Sequence, residues 1–435
     1  MARLLVLAAA VLLAFIAQRF LPTSTYFEDA LWLYAAAALL VAWATRPFFR
    51  SRNAASDGSA PQSDGARPAA RKWGWGVIAL AAGIALIVSA YQWAARPAGD
   101  IIVLWLLSIG LLVYGAYKAD GHRFRIGLPS RKVLLNELLP LAGILLLASA
   151  IRLYELGTLP PGSLSDEAVP AWIALRLMRG DPAVDSPFTI AWAHPNISYY
   201  AIVAFYHIFG VGIHALRVFA AVKGILSLVA IYLLGRTLFS PPAALVATFL
   251  VAVATWHFHL SRLGWEGVME IVLLETLSFL FLWQGLHTGR VLWFAAAGLA
   301  TGFTLYGYTS GKMAVFIAIG FLGLWFLFKR GFADRSFYRG VAMFVLAAAI
   351  AFAPLGTFIA KNPNAYLWRT NEVSIWRNAA NNHLGILEVY GRNAGLQTEM
   401  LVYRDASAPR YGTSNTPWID FAIAPFFVLG LAYSL

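Results

Sequence analysis

Long apolar runs alternate with short polar segments along the whole chain. The runs lie roughly at 4–21, 30–45, 73–94, 101–117, 133–151, 213–234, 243–258, 268–286, 291–308, 314–328 and 341–359. A last one begins near 419 and is still running at Leu435, as expected of a fragment or of a chain closed by a short final span. The runs are continuous stretches of Leu, Ala, Val and Ile, without the period-two alternation of barrel strands. They therefore predict helices, long enough in most cases to cross a hydrocarbon core roughly 30 Å thick. Inside such a core only helices or closed barrels satisfy the backbone. The expected fold class is all-α, a polytopic transmembrane helix bundle. The run at 4–21 resembles a signal peptide superficially. It lacks a clear small-residue cleavage site and a second apolar run follows, so it reads as a retained span.

Composition agrees: 60% of residues are hydrophobic and 12% are charged, against about 25% charged in soluble domains. There is no cysteine, which excludes disulfides, thiolate catalysis and Cys-ligated zinc. The net charge of +12 invites a nucleic-acid reading. The positive residues sit in short loops between apolar runs, however, as the positive-inside bias requires. The expected partner is the lipid bilayer, and no nucleic acid.

Charge also predicts orientation. The linker 46–72 holds Arg46, Arg50, Arg52, Arg67, Arg71 and Lys72 against Asp57 and Asp64, and its Ser, Ala, Gly and Pro content predicts disorder. The loop 118–132 holds Lys118, Arg123, Arg125, Arg131 and Lys132. Both are expected in the cytoplasm together with the N-terminus, so 133–151 exits at the outer face of a plasma membrane. Segment 195–211 is short and carries Asn196, Ser198, Tyr199, Tyr200, Tyr206 and His207. It is expected to be interfacial or partly inserted. In that case 213–234 runs inward, 243–258 runs outward, and Arg262 and Glu266 emerge on the side of Asp166. A crossing segment would put them on opposite sides. The first choice also leaves the basic stretch 329–339 inside. Two outer loops, 152–212 and 360–417, then offer room for chemistry. Residues 1–132, about four spans with the basic linker, read as an accessory region ahead of a core at 133–435.

The sharpest polar feature is Ser165-Asp166-Glu167-Ala168 in the first outer loop. Adjacent carboxylates beside low dielectric are costly without partners or work. Ser165 is placed to cap a helix, acidic residues suit its first turn, and Val169, Trp172, Ile173 and Leu177 form one apolar stripe. The plain alternative is a capped surface helix whose acids serve only the helix dipole.

On these residues the chain resembles the GT-C glycosyltransferases, in particular the protein O-mannosyltransferase and aminoarabinose-transferase branch. Asp166-Glu167 matches the acidic pair of that family's first outer loop. His194-Pro195 ahead of Tyr199-Tyr200 looks like its basic-Pro segment, although many relatives have Lys there. Phe209-Gly210 followed by Arg217, Ser261-Arg262 followed by Glu266, Gly302 to Lys312, and Asn362-Pro363 with Arg369 fit in order. The resemblance covers about 133–435. It implies a GT-C bundle with juxtamembrane helices in its first outer loop, and a sugar donor on a polyprenyl phosphate. The acceptor is a hydroxyl or phosphate on a protein, lipid or glycan at the outer face. The implied catalytic residues are Asp166 as base, Glu167 orienting acceptor or donor, and Glu266 as the second acidic residue, with Glu270 as the other candidate for that position. Substrate binding falls to His194, Arg262, Lys312, Arg369 and Tyr308, the charged ones facing the departing phosphate.

Each has a plainer reading. Arg262 and Lys312 suit span ends where long side chains snorkel, and Arg369 suits an ordinary loop. His257 and His259 with Glu266 form only a weak metal pattern. The metal assignment stays open, and a divalent cation is the one cofactor the resemblance admits. The competing function is a polytopic transporter or lipid flippase, for which Lys223, Glu270 and Glu275 inside apolar runs would be the relevant residues.

Overall fold

The apolar runs fold as helix over most of their described length. In the computed structural model the described residues are 9–16, 33, 35–37, 68–121, 129–163, 165–192, 194–265, 267–329, 335–402, 417–419 and 423–434. Among them seven helices are long and apolar enough to cross a membrane. Large side chains such as Leu86, Leu146 and Phe328 stay exposed on them, as helices facing hydrocarbon demand.

The chain divides into two units. The larger comprises Asp64–Val253 and Leu260–Arg377. It opens with α1 (Pro68–Trp93) and α2 (Ala98–Asp120), then α3 (Arg131–Leu153), which carries a π-helical stretch at Leu134–Leu138. After a long loop come α4 (Ser165–Met178), α5 (Ile197–Phe209), α6 (Ile213–Leu238) and α7 (Pro241–Val253). The run expected at 243–258 is interrupted at Ala254, and a short α8 (Thr255–Leu260) follows, which belongs to the smaller unit except for Leu260. The larger unit continues with α9 (Val268–Thr288), α10 (Val291–Thr304), α11 (Lys312–Lys329), α12 (Arg335–Lys361) and α13 (Pro363–Glu372). The short α14 (Ile375–Asn382) leads into the smaller unit, which holds α15 (Ile386–Val402) and α16 (Ala424–Ser434). There the rings of Trp256 and Trp418 meet at 4.8 Å. The expected outer loop 360–417 is thus helical in its described part, and 403–416 lies outside the described residues. The linker 46–72 is described only from 68, where α1 begins.

Close packing in the larger unit rests on small residues. A Cβ at Gly298 would come within 2.1 Å of the Phe344 carbonyl oxygen, and one at Gly302 within 2.7 Å of that of Ala348. Spaced four apart, the two glycines let the backbones of α10 and α12 meet, the usual way apolar helices adhere where no hydrophobic effect separates them from lipid.

Helices α1 and α2 fall in the expected accessory region, and they pack on the core rather than apart from it. Ile78, Leu112 and Ala116 share one cluster with Leu282, Phe294, Met343 and Ala347. At the C-terminus of α2 the Asp120 carboxylate accepts the N–H groups of Val291 at 2.8 Å and Leu292 at 2.9 Å. It caps α10 from another helix and satisfies two otherwise orphaned donors.

Helix α5 has 13 residues, a rise of about 20 Å, short of a full crossing. It packs on α4 and α6 through Tyr199, Ile202 and Tyr206. The C-terminus of α3, helix α4, the start of α6 and the 261–267 turn gather at one end of the unit. The opposite end is marked by Glu137, which accepts from Arg236 Nε at 2.5 Å and from the Tyr232 hydroxyl at 3.0 Å.

Candidate active site

The site begins with a loop that has no regular structure of its own. Between α3 and α4 the backbone turns repeatedly, and its carbonyls need partners. Two arginines supply them. Arg262 donates through Nη1 to the carbonyls of Ile151 (2.6 Å) and Arg152 (3.1 Å). Through Nη2 it donates to those of Tyr154 (2.8 Å) and Leu159 (3.0 Å). Arg217, on α6, donates to the carbonyls of Leu156 (3.2 Å), Pro160 (2.9 Å) and Gly162 (2.7 Å). Its remaining N–H groups pair with Glu167, Nε to Oε1 at 2.8 Å and Nη2 to Oε2 at 3.1 Å.

Both side chains of the Glu167–Arg217 pair are 1% exposed. Glu167 Oε1 also accepts the Gly264 N–H at 2.8 Å. Two of the expected site residues thus have structural partners. The Glu167 carboxylate joins α4, α6 and the 261–267 turn. The terminal nitrogens of Arg262 are engaged with two carbonyls at the end of α3 and two of the loop, because a planar fork reaches carbonyls on both sides of a turn.

Asp166 stands one position earlier in the first turn of α4 and is half-buried. Pro170, four residues on, has no N–H to give its carbonyl, so that helical bond is missing. The packed face of α4 runs through Glu167, Pro170, Ile173 and Ala174. Trp172, expected in the apolar stripe, is exposed, and the Arg176 guanidinium lies 4.6 Å from its ring centroid. The face is set by the turn of Glu167 toward Arg217, a partner remote in sequence. Arg176 itself pairs with Asp181 at 2.6 Å.

A second group forms around His194. Sequence reading missed its organiser, Asn196. The Asn196 amide donates to the carbonyls of Val184 and Ser186 and to the Thr189 hydroxyl, while its oxygen accepts the Ala191 N–H. A fully buried Asn beside Pro195 was the available signal, since such a side chain needs backbone partners. The loop so folded holds His194 buried, its ring centroid 4.8 Å from that of Tyr308. Trp265 meets the same tyrosine edge-on at 5.2 Å. Gly267, with φ of 79°, leaves no room for a Cβ, which would sit 2.8 Å from the Tyr308 nitrogen. Glu266, between Trp265 and Gly267, lies outside the described residues.

Two cations complete this group. Lys312 Nζ donates to the Tyr366 carbonyl at 3.1 Å and the Thr370 hydroxyl at 2.5 Å, and stands 3.9 Å from the Tyr366 ring centroid. Arg369, on α13, is half-buried, and no described residue bonds its guanidinium. Burial first, then the charges of Lys312 and Arg369, pull the His194 pKa down to about 4. At neutral pH the imidazole is therefore an uncharged donor beside two cations, not a third cation. Linkage fixes the sign of its effect on stability. Between about 6.5 and 4 the unfolded chain takes up a proton that the folded chain refuses. The stability contribution is complete above 6.5 and falls as pH drops toward 4. Thermal melts across that window are expected to slope downward with acid, and His194→Gln is expected to flatten the slope; an unchanged slope would refute a neutral His194.

Two of the three ionisable residues named inside apolar runs, Lys223 and Glu270, face each other. Lys223 Nζ lies 3.7 Å from Glu270 and 3.9 Å from the Phe219 ring centroid, and Glu270 accepts the Ser198 hydroxyl at 3.0 Å. This pairing between α5, α6 and α9 gives Lys223 and Glu270 a structural account. Among the described residues no three of His, Asp and Glu come together to hold a metal ion.

Residues 193–357 match the family model described as dolichyl-phosphate-mannose-protein mannosyltransferase. No curated protein and no solved structure matches the chain.

Proposed function

We propose that this chain, a membrane glycosyltransferase of the GT-C kind whose donor is a sugar on a polyprenyl phosphate, transfers that sugar at the end of the bundle holding Asp166, His194, Lys312 and Arg369. The acceptor is a hydroxyl or phosphate on a protein, lipid or glycan. The observation that carries the assignment is His194 packed on Tyr308 within reach of the charges of Lys312 and Arg369, on a ring that Trp265 of the 261–267 turn also meets, the turn whose Gly264 N–H binds Glu167 beside Asp166.

The acceptor oxygen attacks the anomeric carbon, its proton passing to the Asp166 carboxylate as general base. The bond from that carbon to the phosphate oxygen breaks, and its electron pair leaves on the polyprenyl phosphate. Lys312 and Arg369 face the growing negative charge, and His194 adds an N–H donor without a charge of its own. Tyr308 and Trp265 offer aromatic faces for a sugar ring. Glu167 acts as a positioning residue that sets the first turn of α4. Glu266, inside the connecting turn, is the further acidic candidate.

Orientation follows from charge. At the end opposite the site, Lys118, Arg131, Lys132, Arg236, Arg290, Arg335 and Arg339 outnumber Asp120 and Glu137, which favours that end in the cytoplasm. The site then faces the outside of a plasma membrane, with residues 133–435 as the catalytic core.

The test is transfer in membranes from a panel of radiolabelled polyprenyl-phosphate sugars, with protein, lipid and glycan acceptors supplied. Label is expected to move from one donor to one acceptor class. Lys312→Met is expected to raise the donor KM roughly tenfold to hundredfold, the worth of a charge-assisted hydrogen bond. Absence of transfer from every donor would overturn the assignment, and an unchanged KM would remove Lys312 from the phosphate site.

A further inference from the structure

The family match begins at residue 193, well after α1 and α2, yet a side chain of α2 reaches the floor of the site. Trp105 is 3% exposed. Its indole N–H donates to the Ile350 carbonyl of α12 at 3.0 Å. Its ring lies 5.2 Å from Phe188, 5.4 Å from Phe303 and 5.9 Å from Tyr306, centroid to centroid. Phe188 belongs to the Asn196-bound loop that presents His194. Tyr306 is two residues before Tyr308 and donates its hydroxyl to the Ala351 carbonyl at 3.0 Å. Tyr366, whose carbonyl holds Lys312, donates its own hydroxyl to the Leu305 carbonyl at 3.0 Å. One buried cluster therefore contains Trp105, Phe188, Tyr306 and Tyr366, and each of the last three leads directly to a member of the cationic group.

We propose that Trp105, from the N-terminal helix pair, is a positioning residue for the donor-phosphate site: it is the wedge that fixes the His194 loop, the Tyr308 turn and helix α13 relative to one another. The pair α1 and α2 thereby forms one wall of the enzyme's binding site. The inference rests on the phosphate reading of His194, Lys312 and Arg369. Its chemistry is simple. An indole fills the space between three segments, and its N–H anchors it to a fourth through a directional bond. A phosphate held by side chains from three separate segments is sensitive to their spacing, because misplacement of about 1 Å is enough to cost on the order of a hundredfold in rate.

The experiment measures both binding and turnover on the full-length protein. Trp105→Ala is expected to weaken equilibrium binding of polyprenyl phosphate in detergent by about tenfold and to raise the donor KM by a similar factor. Trp105→Phe, which keeps an aromatic wedge, is expected to recover most of both. Leu112→Ala, a cavity in the same helix in the neighbouring cluster that holds none of Phe188, Tyr306 and Tyr366, is the control. It should lower the melting temperature while leaving binding and KM unchanged. Trp105→Ala and Leu112→Ala behaving alike, or Phe restoring no more than Ala, would overturn the wedge. Wild type that binds polyprenyl phosphate but transfers nothing would remove the transferase assignment, and the binding comparison would still decide the role of Trp105. Wild type that binds no polyprenyl phosphate would remove both.

Discussion

Asp166→Asn is expected to lower sugar transfer by about 10² to 10⁴-fold, the range a positioned general base contributes, while the folded protein melts at its usual temperature. The two halves of that expectation come from different atoms. Asn fills the same volume in the first turn of α4 but holds no proton-accepting carboxylate, so the acceptor oxygen attacks without a base. The buried ion pair that ties that turn to α6 is made one residue later, where Glu167 meets Arg217 and the Gly264 N–H, and an amide at 166 keeps the hydrogen-bonding capacity of the side chain. Donor KM should change little, because the phosphate group of residues sits elsewhere in the site. Transfer at matched expression, followed as label released from the donor, reads the first half; a melt in detergent reads the second. Full activity in Asp166→Asn would move the base to another carboxylate, with Glu266 next in line.

Glu167→Gln is expected to do the reverse and act on folding first. Removing the carboxylate leaves the Arg217 guanidinium charged, buried and short of its partner. Breaking a buried pair in this way costs about 3–5 kcal/mol, a large share of a typical stability of roughly 5–15 kcal/mol. The expected result is a strongly lowered melting temperature and poor recovery from membranes, with activity lost in proportion. Pairing the substitution with Arg217→Met tests the cause. The double variant should be destabilised by less than the sum of the two single ones, since the orphaned charge is gone. Strict additivity would mean that the ion pair is not what the two residues share.

The contrast between these neighbours shows how far the sequence carried. Helices were legible because lipid imposes a one-dimensional rule: an apolar run of sufficient length has to be helical. The gathering of Asp166 and the 261–267 turn at one end followed from counting spans, once the tyrosine-rich segment 195–211 was read as not crossing. The break at Ala254 was not legible, because nothing in the apolar pattern marks it. The division of labour between Asp166 and Glu167 was equally hidden. Adjacent residues on a helix point about 100° apart, so one faces inward and the other does not. Which one does so depends on Arg217, fifty positions away. The same holds for the cations. Arg262 and Lys312 look alike in sequence, each charged near a span end. Only the fold reveals that the first is consumed by carbonyls and the second stands beside His194 and Arg369. His194 was chosen for its position in a motif, and its neutrality arises from burial that no local pattern encodes. The reach of α2 into the site was invisible, because the contacts of Trp105 span almost the whole length of the larger unit.

The loop between α3 and α4 is shaped by two guanidinium groups rooted in other elements, and this constrains how such a chain can drift. A carbonyl oxygen is offered by every residue type alike, so apart from Gly162, whose φ of 78° favours glycine, and the buried Leu156, the letters of residues 154–162 matter little to the hydrogen bonds that hold them. Their number is not free. A guanidinium has a fixed fork and a fixed reach, and one inserted or deleted residue would carry several carbonyls out of register with Arg217 and Arg262 together. Length, more than composition, is what inheritance has to preserve in this segment.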